Sequence, residues 1–119
     1  VAARGVTENN KMVLFHAAHD IKGQAATLGF PAVAAIADSL CRLIEYTPMS
    51  NRIPVKLINQ HVDAVRAIHR EYARSDAREL AAQLNSKLRD VTDDFLVAEN
   101  KNRPDIIEQI TGSPPLAPT

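Results

Sequence analysis

His19 is the residue of this chain whose type and neighbours best fit covalent chemistry. In the segment AAHDIKGQAATLGFP, residues 17–31, Lys22 and Gly23 follow it at spacings of three and four. On a helix both residues then lie beside the imidazole. A neutral imidazole offers a nucleophilic nitrogen, a lysine can neutralise an anion held on the ring, and a glycine leaves room for a partner. This pattern fits a histidine that accepts a phosphoryl group, because that transfer depends on positioning and charge neutralisation.

The two glycines of this segment have different expected roles. Gly23 lies in mid-helix, where glycine costs about 1 kcal/mol relative to alanine, so it indicates a steric need for an absent side chain. We interpret that need as open access to His19. Gly29 and the nearby Pro31 form a helix stop signal. The sequence therefore predicts a first helix over residues 8–29.

Helical periodicity places His19 on the exposed face of this first helix. Projected at about 100° per residue, one apolar stripe lies nearly opposite His19 and is predicted to be buried. Its members are Leu14, Ala17, Ala18, Ile21, Ala25 and Leu28. Other apolar residues fall within about 40° of His19, and exposed apolar groups of this kind mark docking surfaces. The predicted docking residues are Met12, Phe15, Ala26 and Phe30, together with His16.

Three more amphipathic helices are predicted, over residues 32–46, residues 54–73 and a segment that Ser75 and Asp76 can cap, with Glu79 completing a capping box. Their expected buried stripes are Val33, Ile36, Ala37, Leu40, Leu43 and Ile44, then Leu57, Ile58, Val62, Val65, Ile68 and Tyr72, then Leu80, Ala81, Leu84, Leu88, Val91 and Phe95. The short connections predict an all-α fold, an antiparallel four-helix bundle over residues 1–99. Residues 100–119 are expected to form an extension with an apolar patch (Ile106, Ile107 and Ile110) and a disordered end, GSPPLAPT.

Composition excludes several classes of function. The chain has 119 residues, with 14 basic and 14 acidic side chains and a net charge of zero, so no nucleic-acid partner is expected. No apolar run is long enough to span a membrane, and no signal pattern begins the chain. The single cysteine, Cys41, excludes an internal disulfide and a cysteine-based zinc site. A cytoplasmic protein of one domain, without a metal of its own, is the expectation.

The segment around His19 resembles the signature of histidine-containing phosphotransfer (HPt) domains, H-x-x-K-G with a second glycine ten residues after the histidine. His19, Lys22, Gly23 and Gly29 match it, and the resemblance covers about residues 12–46. It implies that His19 accepts a phosphoryl group from a receiver-domain aspartate and passes it to another receiver. The implied partners are response-regulator receivers or a hybrid histidine kinase, and we expect a monomer. The resemblance also implies a phosphocarrier without kinase or phosphatase activity, to which the receiver supplies Mg²⁺.

The chain departs from the family pattern in two respects. Only 18 residues precede His19, where family members commonly have one or two further helices. Either the fourth helix replaces a missing partner, or an N-terminal helix has been lost. Gln24 also stands where members often have a serine. The family often hydrogen-bonds the imidazole from the following helix, and Asp38, Cys41 and Arg42 are the candidates for that role.

Three other interpretations compete with phosphotransfer. A metal site could use His16, His19 and Asp20, with His61 and His69 of the third helix, but the last two are more simply boundary residues of that helix. A helical interaction module that is never phosphorylated would explain the exposed apolar residues, but it has no need for Lys22 and Gly23. A kinase dimerisation helix usually has an acidic or polar residue and then a proline after its histidine, and DIKGQ lacks that pattern.

Overall fold

The described part of the chain is helical, as predicted. The computed structural model describes residues 6–71 and 77–112. Its helices are α1 (Glu8–Thr27), α2 (Pro31–Tyr46), α3 (Val55–Glu71), α4 (Ala77–Glu99) and α5 (Pro104–Gly112), with a 3-10 turn at Ser50–Arg52. No strand occurs within these ranges, which confirms the all-α class. None of the helices described is long and apolar enough to cross a membrane. Tyr72 and the predicted cap at Ser75 and Asp76 lie outside the described residues.

Local signals fix both ends of α1. At its start, the hydroxyl of Thr7 accepts a hydrogen bond from the backbone N–H of Asn10 at 3.2 Å. At its end, Gly29 has a φ of +85°, the left-handed conformation that glycine adopts without strain. The N–H of Phe30 then donates to the carbonyl of Ala25 at 2.8 Å, which is the closing bond of a Schellman motif. This motif turns the chain back into α2 immediately after the helix that carries His19.

The second helix is the centre of the bundle. It contacts α1, α3 and α4, so most of its residues are buried. Arg42, which periodicity places off the apolar stripe, is also buried, because α4 and α5 cover that side of α2. Because α2 packs against α3 and α4 as well as α1, it supports α1 from the centre of the bundle.

The buried face of α1 differs from the predicted stripe. Ala18 and Ala25 are buried and Leu14 is half-buried, but Ala17, Ile21 and Leu28 are exposed. The reason is that α1 packs chiefly against α2 and therefore buries a narrower face, centred near Ala18. The adjacent face of α1 contributes to a groove between α1, α2 and α3, lined by Ile21, Leu28, Phe30, Val33, Val65 and Ile68, among others.

Within the described residues, the predicted stripes of α3 and α4 are buried or half-buried except at one position on each helix. Val62 and Val91 were expected in the core, but they are 39% and 43% exposed. On α3 the side chain next to Val62 that faces the core is His61, which is only 1% exposed and is therefore not a boundary residue. Its ring accepts or donates a hydrogen bond at 2.9 Å with the hydroxyl of Ser39 on α2. A polar partner on a neighbouring helix thus allows a histidine into the core.

The packed part of the chain continues past residue 99. Helix α5 occupies part of the segment that was expected to be an extension, and Ile110 is fully buried in the same cluster as Leu43, Ile44 and Leu96. Arg42 also donates a hydrogen bond to the Ile110 carbonyl at 2.6 Å. The predicted apolar patch is therefore part of the bundle. Most of the segment predicted to be disordered, residues 113–119, lies outside the described residues.

Candidate functional site

His19 lies on α1 with its side chain exposed, as the periodicity predicts. The phenyl ring of Phe15, one turn earlier, stacks on the imidazole with 6.0 Å between ring centroids and 28° between ring planes. Stacking involves a ring face and not the ring edge, where both nitrogens lie, and the residue as a whole is exposed. Among the described residues, none makes a hydrogen bond to either nitrogen of His19. The imidazole is therefore held by packing, and its nitrogens are accessible to a reactant.

Lys22 lies beside His19 but is already paired. Its ammonium Nζ is 2.8 Å from Oδ1 of Asp38 on α2, and the Lys22 side chain is 36% exposed. The hydrogen bond to Asp38 is the main cause that raises the pKa of Lys22 above its ordinary value, so the ammonium stays charged. Lys22 is thus a positive charge that lies three residues after His19 on α1 and is anchored to the neighbouring helix.

Gly23 has open space where its side chain would be. A Cβ atom added there would meet no atom of another residue within 4 Å, apart from the backbone of its own helix. Packing within the described chain therefore does not require a glycine. A mid-helix glycine that internal packing does not explain is consistent with access for something outside the chain.

None of the three candidates on α2 reaches the imidazole. Asp38 bonds to Lys22, and Arg42 is turned toward Asp93 and the carbonyl of Ile110. Cys41 is buried, and burial is the main cause that raises the pKa of its thiol to about 11. The thiol is therefore protonated at neutral pH and is a poor nucleophile. The link from α2 to the site thus runs through Lys22.

The predicted docking residues have different environments. Met12 is 53% exposed and Phe30 is 40% exposed, and His16 and Ala26 are exposed as well. Phe15 is only half-buried, packs against the core and contacts both His16 and His19. Phe30 follows the end of α1, so a helical projection does not describe it, and its side chain lines the groove between α1, α2 and α3. Their role in docking remains a prediction.

The histidines proposed as alternative metal ligands are not gathered together. His61 is buried and uses both ring nitrogens, one with the Ser39 hydroxyl and one with the carbonyl of Leu57 at 2.7 Å. Within residues 6–71 and 77–112, no group of three His, Cys, Asp or Glu side chains is placed to hold a metal ion.

Two charged residues near the site are not predicted from the sequence. Arg89 on α4 has Nη1 at 3.9 Å from Oδ2 of Asp38, and its Nε is 2.9 Å from Oδ2 of Asp93. The spacing of four between Arg89 and Asp93 is visible in the sequence as a helical ion pair. Their position behind Lys22 is not visible there, because it depends on how α4 packs against α2.

Comparison with known proteins agrees with the geometry. A model of the Hpt domain family matches residues 2–71, a range that includes α1, α2 and α3 and leaves α4 and α5 outside. No curated protein and no solved structure matches the chain. Hpt domains are phosphotransfer modules of two-component signalling that act as phosphocarriers and interact with receiver domains and histidine kinases. The match covers more than half of the chain, which therefore belongs to the Hpt domain family.

Proposed function

We propose that this chain carries a phosphoryl group on His19 between two receiver domains of a phosphorelay. The observation that carries this proposal is the exposed imidazole, whose nitrogens have no hydrogen-bond partner among the described residues and which is flanked by Lys22 and by open space at Gly23. A nucleophile that must meet a partner's phosphoaspartate has to be accessible in this way. The family match supports the phosphotransfer role, and the position of His19 in the H-x-x-K-G motif supports the assignment of the residue.

The transfer is a substitution at phosphorus. A lone pair on a ring nitrogen of His19 forms the N–P bond, while the bond between phosphorus and the receiver's aspartyl oxygen breaks and the carboxylate leaves with its electron pair. The negative charge on the phosphoryl oxygens is what the ammonium of Lys22 can neutralise. Mg²⁺ and most of the catalytic groups are expected to come from the receiver. The reverse reaction, onto a second receiver, uses the same atoms.

This role carries further proposals about partners and setting. The expected partners are response-regulator receivers or the receiver of a hybrid histidine kinase, and the chain is expected to act as a monomer. A cytoplasmic location is the proposed setting, because receivers are the partners. No kinase or phosphatase activity of its own is part of the proposal.

A relay assay tests the proposed function. A panel of receiver domains charged with acetyl phosphate is mixed with the protein, and the protein is then purified and mixed with uncharged receivers. We expect acid-labile phosphate to appear on the protein and then on a second receiver, in wild type and in His16→Gln but not in His19→Gln. His16 is a matched control for the site of labelling, because it is also exposed on α1 and contacts the same Phe15 ring. As a predicted docking residue, it should at most slow the transfer when it is replaced, without abolishing it. Binding to receivers without any phosphate transfer would instead support the interaction-module alternative.

A further inference from the structure

Lys22, which lies three residues after His19 on α1, has another anionic partner in the unphosphorylated protein. Lys22 donates to Oδ1 of Asp38 at 2.8 Å, across the interface between α1 and α2. The Asp38 side chain is only 16% exposed, compared with 36% for Lys22. A charge-assisted hydrogen bond of this length holds the ammonium on the α2 side of the site.

Asp38 is itself fixed from behind by a chain of charges. Arg89 lies 3.9 Å from the other oxygen of Asp38 and binds Asp93 at 2.9 Å, and Arg42 contacts Asp93 at 3.4 Å. The side chains of Arg42 and Arg89 are 8% and 7% exposed, so both arginines of this ion-pair network are buried. Asp38 therefore cannot follow Lys22 outward without leaving Arg89.

The same arrangement allows Lys22 to leave. If its ammonium turns toward an anion on His19, Asp38 still faces the guanidinium of Arg89, so its charge is not left without a counter-ion. Of the two cations that face Asp38, Lys22 is the more exposed and Arg89 is the buried one. Lys22 lies three residues after His19, within reach of a group on the imidazole. A phosphoryl group on His19 and the Asp38 carboxylate would therefore compete for the same ammonium group of Lys22.

We propose that Asp38 is a positioning residue that competes with the phosphoryl group on His19 for Lys22 and so sets how strongly that group is held. This inference rests on the proposed function of His19. In the unphosphorylated protein Lys22 pairs with Asp38, and in the phosphorylated protein it turns to the phosphoryl oxygens. Removing the charge of Asp38 releases Lys22 to the phosphoryl group and strengthens its hold.

The acidity of the phosphoryl group measures this competition directly. Wild type and Asp38→Asn are loaded with potassium phosphoramidate, from which a ring nitrogen of His19 takes the phosphoryl group as ammonia leaves. The ³¹P signal is then followed against pH. In Asp38→Asn we expect the phosphoryl pKa to fall, because Lys22 is freer to stabilise the dianion, and Lys22→Ala should raise it. We also expect the transfer equilibrium with a charged receiver to shift about three- to tenfold toward phosphorylated His19.

Matched variants separate this role from a structural one. Asp20→Asn removes the same charge from an exposed aspartate next to His19 and should shift the equilibrium much less. Asp38→Glu, which keeps the charge, should restore wild-type behaviour. In a Lys22→Ala background, Asp38→Asn should have no further effect, because the residue it acts through is gone. Circular dichroism confirms that each variant is folded, and Asp38→Ala is the second neutral variant if Asp38→Asn is not.

The outcomes distinguish this inference from the proposed function. Suppose that wild type is phosphorylated and that Asp38→Asn leaves the phosphoryl pKa unchanged, or changes it equally with and without Lys22. This result overturns the role of Asp38 but leaves the proposed function of His19 intact. A wild type that accepts no phosphoryl group from phosphoramidate or from any charged receiver overturns the proposed function, and this inference with it.

Discussion

The phenyl ring of Phe15 lies against the imidazole of His19, with 6.0 Å between the ring centroids, and also packs against the bundle core. Phe15 therefore joins the exposed histidine to the buried interior of the protein. The Phe15 ring contacts a face of the imidazole, and within the described part of the chain neither ring nitrogen has a hydrogen-bond partner. Met12, by contrast, is 53% exposed on the same side of α1 and is free to contact a partner.

This difference predicts that alanine at position 15 lowers chiefly stability, whereas alanine at position 12 lowers chiefly receiver binding. Phe15→Ala should lower the free energy of unfolding by about 1–3 kcal/mol, because a half-buried aromatic loses part of its core contact. Met12→Ala should change that free energy by less than about 0.5 kcal/mol but weaken receiver binding by about 1–2 kcal/mol. Chemical denaturation and titration with a receiver domain measure the two quantities on each variant. Weaker binding by Phe15→Ala at unchanged stability would show that the ring acts mainly in docking.

Glycine at position 23 is predicted to make the protein less stable than alanine would, while it leaves room for a partner to approach His19. Gly23→Ala should raise the free energy of unfolding by about 0.5–1 kcal/mol, because alanine favours the helix and a Cβ at this position meets nothing within 4 Å. Phosphoryl transfer to His19 should slow in Gly23→Ala and slow further in Gly23→Leu, because each side chain fills space through which a partner would approach. Denaturation and rapid-quench transfer assays measure the two effects. Wild-type transfer rates in both variants would remove access as the reason for this glycine.

How much of this site the sequence predicts depends on how local each feature is. The two ends of α1, the exposure of His19 and its nearness to Lys22 and Gly23 follow from spacing along one helix. The pairing of Lys22 with Asp38 does not, because it depends on how α1 lies across α2.

The same limit explains the residues whose burial was predicted incorrectly. A helical projection locates an apolar stripe but not the neighbours that cover it, and α1 turns out to pack chiefly on α2. Ile21 and Leu28 are therefore exposed. His61 is buried, because the hydroxyl of Ser39 on another helix forms a hydrogen bond with its ring. The packing of Ile110 against the bundle does not follow from the sequence, because a nine-residue helix gives only a short periodic signal.

His61 predicts a loss of stability in acid. Burial lowers the pKa of His61 below its ordinary value, so the folded protein takes up this proton less readily than the unfolded chain does. The stability that the neutral ring contributes is complete above the unfolded pKa of about 6.5 and is lost as the pH falls below it. Denaturation at a series of pH values should show this slope in wild type and in His69→Gln, whose histidine is exposed on the same helix. His61→Gln should flatten it, and an equal slope in all three proteins would contradict this account of the buried ring.

Helix α5 is predicted to contribute to the stability of the whole bundle. Ile110→Ala should lower the free energy of unfolding by about 2–5 kcal/mol, because its fully buried side chain leaves a cavity. Glu108→Ala is the control, since Glu108 is exposed on the same helix and should change stability by less than about 0.5 kcal/mol. Denaturant titration measures both. If the two variants were equally stable, α5 would not be part of the cooperative unit.

The central claim is that His19 is the residue that carries the phosphoryl group. Its most direct test is to charge the protein with a phosphorylated receiver at neutral pH and to map the modified residue by tandem mass spectrometry under conditions that preserve phosphohistidine. We expect one acid-labile phosphoryl group per chain, located on His19, and none in His19→Gln. A phosphoryl group mapped to His16, His61 or His69, or full labelling of His19→Gln, would contradict it.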